Sequence, residues 1–253
     1  MTAPIIAAKG LRKRFGAVVA ANDVNVDIMP GTISGLIGTN GAGKTTFINM
    51  ITGYLQPDEG SIVLDGRELV GLTPREVTRR GVARSFQIPQ LFNSLTAVEN
   101  LSLAEAALKS QGFGGFAMFS DKVLERSARE TLERFGLERF GDSLAGTMPE
   151  GIRKLLDIAV AMVGRPRVLF LDEPTSGVSS EEKFPIMDRV IAATRADHVS
   201  VLFVEHDMEI VRRYSDRVLA FFEGRVLIDD KPDVVMNDPQ VRTLIIGEEK
   251  AHA

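Results

Sequence analysis

The chain has 253 residues, of which 44% are hydrophobic and 25% are charged, as is ordinary for a globular protein with a sizeable buried core. Its net charge of -4 gives no basic surface for nucleic acid, and the absence of cysteine excludes disulfides and thiolate chemistry. No apolar run reaches the roughly 18 residues that a membrane-spanning helix needs, so any role at a membrane would require other chains to span it.

The predicted elements alternate between short strands and helices, which favours an α/β fold. At the start of the chain, segments 5–11 and 18–28 are predicted to form an antiparallel β layer. Three later runs are short, apolar and bounded by turn or charged residues, which is typical of strands buried on both faces of a parallel sheet. These runs are residues 32–37, 168–171 and 200–204.

The middle of the chain has a helical period. Between about residues 88 and 163, apolar residues recur at a spacing of three to four. The helices predicted there are Thr96–Lys109, Asp121–Phe135 and Gly151–Val163. We therefore predict a single domain over residues 1–253, with a core of residues 1–87 and 164–247 and an inserted helical lobe of about residues 88–163.

The strongest functional motif runs from Gly38 to Thr45 and reads Gly-Thr-Asn-Gly-Ala-Gly-Lys-Thr, which matches the Gly-x-x-x-x-Gly-Lys-Ser/Thr phosphate loop. Glycines let successive backbone amides surround a phosphate, and the N-terminus of the following helix adds its dipole. Lys44 is expected to bind the β- and γ-phosphates of ATP, and the Thr45 hydroxyl is expected to bind Mg²⁺. The predicted ATP contacts are Gly38, Asn40, Gly41, Ala42, Gly43, Lys44, Thr45 and Thr46. The alternative is a glycine turn that only caps a helix, but a strand-like run precedes the motif and a helical one, Thr46–Tyr54, follows it.

A second motif joins a short apolar run to two acids, because residues 168–171 are followed by Asp172 and Glu173. In nucleotide-hydrolysing proteins with a phosphate loop, a buried strand delivers an aspartate that holds Mg²⁺, and this predicts that role for Asp172. Glu173 comes one residue later and is predicted to orient or deprotonate the attacking water. A short apolar run followed by two acids is common by itself. It indicates a catalytic site here because a phosphate loop precedes it in the chain.

With these two motifs the sequence resembles the nucleotide-binding domains of ABC transporters over essentially its whole length. The resemblance implies that Gln87, in Ser-Phe-Gln-Ile, contacts Mg²⁺ and water as the glutamine of the Q-loop. It implies that His206, in Val-Glu-His-Asp, contacts the γ-phosphate, and that Phe15, in Lys-Arg-Phe-Gly, stacks on adenine. The alternatives are a solvent-facing glutamine, a structural histidine and a core phenylalanine.

Three positions depart from the pattern of that family. Thr39 replaces a proline in the phosphate loop, where the backbone does the binding, and Ser179 ends the D-loop where many members have aspartate. Residues 148–152, Met-Pro-Glu-Gly-Ile, stand where the family has the signature Leu-Ser-Gly-Gly-Gln, so the serine hydroxyl that contacts the opposite ATP is missing and Glu150 adds a negative charge. We expect that the chain therefore pairs with a different ATPase subunit. The alternative is that Glu150 points outwards and that two equal sites turn over slowly.

Within the family, Thr96-Ala-Val-Glu-Asn and the Phe-rich insert 111–119 are similar to importers of branched-chain amino acids, a group whose relatives also carry urea and short amides. The resemblance implies a peripheral ATPase at the cytoplasmic face of the inner (plasma) membrane. Its partners would be transmembrane permease subunits, a second ATPase subunit and a periplasmic or extracellular substrate-binding protein, with no nucleic acid. Two rivals remain, namely a non-transport ABC ATPase and a nucleotide-binding regulatory subunit whose ATPase activity has decayed.

Overall fold

A computed structural model describes residues 3–109 and 122–247. The chain divides into two compact units: Met1–Arg80 together with Ser200–Ala253 form the first, and Gly81–Val199 form the second. In the part of the chain that is described, none of the helices combines the length and the hydrophobicity that crossing a bilayer requires.

Strands and helices alternate along the chain. The strands are β1 (Ile6–Phe15), β2 (Val18–Ile28), β3 (Ile33–Gly38), β4 (Glu59–Leu64), β5 (Arg67–Glu68), β6 (Val82–Ser85), β7 (Val168–Asp172), β8 (Ser200–Val204), β9 (Arg217–Phe222) and β10 (Arg225–Asp230). The α-helices are α1 (Lys44–Ile51), α2 (Pro74–Arg79), α3 (Ala97–Lys109), α4 (Lys122–Arg134), α5 (Glu150–Met162), α6 (Ser180–Ala196), α7 (Met208–Tyr214), α8 (Pro232–Asn237) and α9 (Pro239–Val241).

The first unit contains two sets of paired strands. Strands β2, β1, β4 and β5 are neighbours in that order in an antiparallel sheet, in which Ile6 of β1 lies opposite Ile28 of β2. This confirms the antiparallel layer predicted for segments 5–11 and 18–28. Strands β10, β9, β3 and β8 are also neighbours in that order, and β3 runs parallel to both β9 and β8. Every residue of β3 is buried, as the uninterrupted apolar run 32–37 predicted.

The second unit contains the parallel strands β6 and β7, with Val82 opposite Val168, and the helices α3 to α6. Helix α5 packs against both strands and against α3, α4 and α6. The three helices predicted for this region are confirmed as α3, α4 and α5, with ends that differ by at most one residue. The Phe-rich insert 111–119 lies outside the described residues. Residues 88–163 fall within this unit, and their separation from a core as an inserted lobe stays a prediction.

Two helices that follow candidate site residues have a polar residue at the N-cap, namely Ser179 for α6 and Asp207 for α7. The Glu182 carboxylate accepts hydrogen bonds from the amide and the hydroxyl of Ser179, at 3.3 and 2.8 Å, just before α6. The Asp207 carboxylate accepts from the amides of Glu209 and Ile210, at 3.1 and 3.5 Å, and begins α7. Ser179, which departs from the family pattern, therefore has a local role in starting a helix.

Candidate functional site

The predicted phosphate loop lies in the first unit, between the end of β3 and the start of α1. Gly38 and Gly43 have φ angles of +154° and +102°. A Cβ atom would lie 2.4 Å from the carbonyl oxygen of Phe221 at the first position and 2.5 Å from that of Ala20 at the second. Only glycine fits this close approach of backbone to backbone. Because α1 begins at Lys44, its first N–H groups follow the loop directly, an arrangement that favours an anion.

The side chain of Lys44 turns back over this loop. It is only 7% exposed, and its Nζ donates to the carbonyl oxygens of Gly38 at 2.6 Å and Thr39 at 3.0 Å. Thr39 thus takes part through its backbone, which explains why a proline is not required there. The next residue, Thr45, is exposed. The structure therefore holds a positive charge and a hydroxyl at the place where the sequence predicts a triphosphate.

His206 lies at the same edge of the first unit as the phosphate loop. Leu36 of β3 is opposite Val204 of β8, and the two strands are parallel, so their carboxyl ends meet at one edge. The phosphate loop follows β3, and His206 follows β8 by two residues with an exposed side chain. This placement favours a contact with bound phosphate over a structural role.

Phe15 ends β1 at the hairpin that leads into β2. Its ring is 51% exposed, which argues against the alternative of a core phenylalanine. The hairpin also approaches the phosphate loop, because the carbonyl oxygen of Ala20 in β2 is the group that a side chain on Gly43 would strike. An exposed aromatic face on a hairpin whose second strand reaches the loop suits a purine ring, and the adenine contact stays a prediction.

In the second unit the structure brings Gln87 and Glu173 together. The amide Nε2 of Gln87 donates to Oε2 of Glu173 at 2.8 Å. Glu173 has a φ angle of +48°, a left-handed backbone conformation that is uncommon for a residue with a side chain. Strained conformations of this kind cluster at functional sites, where the surrounding structure maintains them. Gln87 and Glu173 together can therefore orient a water molecule.

Asp172 forms an ion pair that the sequence analysis missed. Nη2 of Arg84 donates to Oδ2 of Asp172 at 2.8 Å, and only 7% and 16% of the two side chains are exposed. The guanidinium also lies 4.6 Å from the centroid of the Phe86 ring. A signal was present, since Arg84 is the cation of an otherwise apolar or small-residue strand, Val-Ala-Arg-Ser. The arginine offsets the charge of a largely buried carboxylate.

The side chains predicted to bind Mg²⁺ are Thr45 in the first unit and Gln87 and Asp172 in the second. All three offer oxygen atoms, which Mg²⁺ prefers, and Gln87 uses its amide nitrogen towards Glu173, so its amide oxygen is the atom suited to a cation. Within residues 3–109 and 122–247 there is no group of three or more His, Cys, Asp or Glu side chains that could hold a metal by themselves. Taken singly, each of these donors fits a Mg²⁺ ion whose other ligands are water and phosphate oxygens, as is common for this ion.

A family model described as ABC transporter matches residues 21–176, which is more than half of the chain. The protein belongs to the ABC transporter family. The matched range begins in β2 and contains the phosphate loop, Gln87, Asp172 and Glu173. The fold class predicted from the sequence, an ABC ATPase type of α/β fold, is therefore confirmed.

Two relatives are similar to this ABC cassette over nearly its whole length. The high-affinity branched-chain amino acid transport ATP-binding protein BraF of Pseudomonas aeruginosa is 39% identical, and the alignment covers 98% of this chain and all of the relative. The corresponding protein LivG of Escherichia coli is 38% identical with the same coverage. Among solved structures, the ADP conformation of an ATP-binding cassette of an ABC transporter superposes with a TM-score of 0.86 at 29% identity, covering 98% of this chain and all of that chain.

The signature position of this ABC cassette lies at the start of α5. Pro149 precedes the helix, and Glu150 is its first residue. A Cβ atom on Gly177, in the D-loop, would lie 2.5 Å from Oε1 of Glu150, so the carboxylate packs over that glycine of its own chain. From the sequence, two positions were open for this carboxylate, one directed at the partner's ATP and one directed outwards. The structure adds a third position for it, against the D-loop.

Asp157 of α5 is a buried acid that the sequence analysis did not single out. Its Oδ2 accepts from the Ser85 hydroxyl at 2.6 Å, and its Oδ1 accepts from the amide of Gln90 at 2.7 Å. Burial raises the pKa of Asp157, and hydrogen bonds from Ser85 and from the amides of Gln90 and Phe86 oppose that rise. The only sequence signal was an acid on the apolar face of a predicted helix.

The raised pKa of Asp157 predicts a pH-dependent contribution to stability. Because the folded chain binds this proton more tightly than the unfolded chain, the contribution is fully present below the ordinary pKa of 3.8 and is lost as the pH rises through the folded pKa. Asp157→Asn removes the titration, so its Tm minus that of the wild type is expected to become more positive between about pH 4 and pH 7. Thermal melts across that range test this, with the exposed Asp142→Asn as the control. A difference that stays constant or falls with pH would contradict the prediction.

Proposed function

We propose that this chain is the ATP-binding and ATP-hydrolysing subunit that powers an ABC importer for branched-chain or related amino acids. The observation that carries the proposal is full-length similarity, at 38–39% identity, to two ATP-binding proteins of branched-chain amino acid transport. Full coverage matters because the similarity extends beyond the motifs that all phosphate-loop proteins share. A non-transport ABC ATPase would not be expected to resemble transport proteins over its full length. A nucleotide-binding subunit with decayed ATPase activity would have no need to keep Lys44, Asp172 and Glu173.

Each candidate residue has a role in this proposal. Lys44 and the amides of the phosphate loop bind the phosphates, and Phe15 stacks on adenine. Thr45, Asp172 and Gln87 hold Mg²⁺, which supplies positive charge to the phosphate oxygens when it is bound. Glu173 deprotonates or orients the attacking water, with Gln87 holding the carboxylate in place. His206 contacts the γ-phosphate.

The partners in this proposal are those implied by similarity to ATP-binding proteins of branched-chain amino acid transport. Transmembrane permease subunits form the pathway, a periplasmic or extracellular binding protein selects the substrate, and this chain lies at the cytoplasmic face of the membrane. A second ATPase subunit completes the pair of ATP sites. We favour a second subunit of different sequence, because residues 148–152 lack the serine hydroxyl of the usual signature.

The test of the proposed function is transport by the reconstituted complex. This chain, the second ATPase and the permease subunits encoded with it are placed in proteoliposomes with the binding protein, and uptake of radiolabelled leucine, isoleucine and valine is measured with and without ATP. We expect ATP-dependent uptake of these amino acids and none of lysine. ATP hydrolysis without uptake would favour a non-transport ATPase, uptake of urea alone would change the substrate, and a complex that binds but does not hydrolyse ATP would favour the decayed rival.

Phe92 is predicted to form part of the surface that docks on the permease. Its ring is 59% exposed, while Asn100 fixes its backbone by accepting from the Phe92 amide at 2.9 Å and donating to the Phe92 carbonyl oxygen at 3.2 Å. Phe92→Asp is expected to lower uptake about tenfold or more, because truncating or charging a central aromatic contact costs more than about 1.4 kcal/mol at such interfaces. Nucleotide binding by the isolated chain is expected to stay unchanged.

The control for Phe92→Asp is Val234→Asp, which charges a similarly exposed apolar side chain on α8, 47% exposed. We expect normal uptake from it. Normal assembly and undiminished uptake by the Phe92→Asp complex would remove Phe92 from the docking surface.

A further inference from the structure

Helix α5 places two oppositely charged side chains inside the second unit. Lys154 and Asp157 are only 4% and 6% exposed. They are three residues apart, so they lie on the same face of the helix. Charged groups are rarely buried without partners, because removing them from water is costly. The hydrogen-bond partners of Lys154 and Asp157 therefore indicate the role of these two residues.

The partners of Lys154 belong to the segment that carries Glu173. Its Nζ donates to the carbonyl oxygen of Glu173 at 3.1 Å and to the hydroxyl of Ser176 at 2.6 Å. The amide of Ser176 donates to the same carbonyl at 3.1 Å. Two donors thus hold the peptide group of a residue whose φ angle is +48°. Since that left-handed backbone determines where the Glu173 carboxylate points, Lys154 acts on the direction of the side chain.

The partners of Asp157 belong to the segment that carries Gln87. The two hydrogen bonds from the Ser85 hydroxyl and the Gln90 amide lie two residues before and three residues after Gln87. Gln87 itself is exposed and reaches Glu173 through the 2.8 Å contact of its amide. Asp157 therefore anchors both ends of a short segment, and the Gln87 side chain between these two anchors extends to Glu173.

We propose that Lys154 and Asp157 are positioning residues, which hold segments 173–176 and 85–90 on one face of α5 so that Glu173 and Gln87 meet. The proposal rests on the proposed function, in which these two residues serve ATP hydrolysis. The pair joins the segments through one rigid helix, so a displacement of either segment changes the contact between Gln87 and Glu173. The helix that begins at the signature position, α5, therefore also contains the two residues that position Glu173 and Gln87.

The first experiment measures amide hydrogen exchange in the full-length chain without nucleotide. Lys154→Met removes the ammonium donor while keeping an unbranched side chain, and it is expected to raise exchange at least tenfold within residues 173–177. Asp157→Ala is expected to do the same within residues 85–90. Lys154→Arg retains a donor and Asp157→Asn retains an acceptor. Both variants are therefore expected to keep most of the wild-type protection against amide exchange in these two segments. The control is Arg189→Met, since Arg189 also donates to a backbone carbonyl, that of Gly136, at 3.4 Å.

The second experiment measures hydrolysis by the assembled complex. Lys154→Met is expected to lower kcat about ten- to a hundredfold with little change in the KM for ATP, as is usual when a reacting group is displaced by about 1 Å. Because Lys154 acts through Glu173, adding Lys154→Met to Glu173→Gln is expected to cause no further loss. Thermal melts identify any variant that fails to fold. If Lys154→Met does not fold, Ser176→Ala, which removes the hydroxyl that accepts from Lys154 at 2.6 Å, replaces it in the cycle.

The outcomes separate this inference from the proposed function. If Glu173→Gln alone leaves hydrolysis unchanged, the role of Glu173 in the proposed function is wrong, and the exchange measurement still decides whether Lys154 holds its backbone. If the losses from Lys154→Met and Glu173→Gln multiply, or if exchange within residues 173–177 does not change in Lys154→Met, the positioning role is overturned. Loss of hydrolysis that is not additive, together with local loss of protection, supports it.

Discussion

Glu173→Gln is expected to leave ATP binding near the wild-type level and to slow hydrolysis by about two to four orders of magnitude, as for loss of a general base. Glutamine keeps the size of the side chain and an oxygen that can accept the hydrogen bond from Gln87, which measures 2.8 Å in the wild type. It lacks the negative charge that would take a proton from water. The measurement is single-turnover hydrolysis by the assembled complex, with nucleotide affinity measured separately on the isolated chain.

The control for this substitution is Glu181→Gln, which makes the same change at an exposed position in the first turn of α6. We expect wild-type hydrolysis from it. The second ATPase subunit provides a further comparison, because its own catalytic glutamate is substituted separately. Unequal losses from the two substitutions support two different ATP sites, whereas equal losses contradict that arrangement. Hydrolysis by Glu173→Gln at the wild-type rate would contradict the assignment of the base.

Lys44→Ala is expected to weaken ATP binding itself by about ten- to a hundredfold, the cost of removing a hydrogen bond to a charged group. In the structure the ammonium also bonds the carbonyl oxygens of Gly38 and Thr39, so alanine loses these contacts of the loop as well. Titration of the isolated chain with a fluorescent ATP analogue measures the affinity, and a thermal melt without nucleotide measures the effect on the loop. An unchanged affinity would show that the phosphates bind elsewhere.

Lys9→Ala serves as the control, since Lys9 lies in the same unit and pairs with Asp27 at the surface. An exposed pair of this kind contributes little to stability, so neither affinity nor Tm is expected to change by more than a small amount.

The elements that the sequence predicted well are those with a strong local pattern. The helices α3, α4 and α5 end within one residue of the prediction, because an apolar stripe at helical spacing is visible in any window of the chain. The helix after the phosphate loop differs more from the prediction, because it runs from Lys44 to Ile51 rather than over Thr46–Tyr54. Its start depends on the backbone conformation of Gly43, which no apolar pattern records.

The candidate site was predictable where one short segment carries the chemistry. The phosphate loop and the Asp172-Glu173 pair could be identified because spacing alone brings their groups together. Arg84 could not be assigned in this way, since its partner Asp172 is 88 residues away and becomes its neighbour only when β6 pairs with β7. Glu150 is similar, because its place over Gly177 depends on how the start of α5 meets the D-loop.

By itself, the sequence determined the class of fold, the phosphate loop and the identity of the groups that bind and hydrolyse ATP in our proposal. These follow from local properties, namely the conformational freedom of glycine, the period of apolar residues and the position of charged groups at the end of a strand. Only the tertiary structure decided that Lys154 and Asp157 support the segments of Glu173 and Gln87. The sequence shows only that a lysine and an aspartate lie in a helical pattern, because their burial and their hydrogen-bond partners arise from segments distant in the chain.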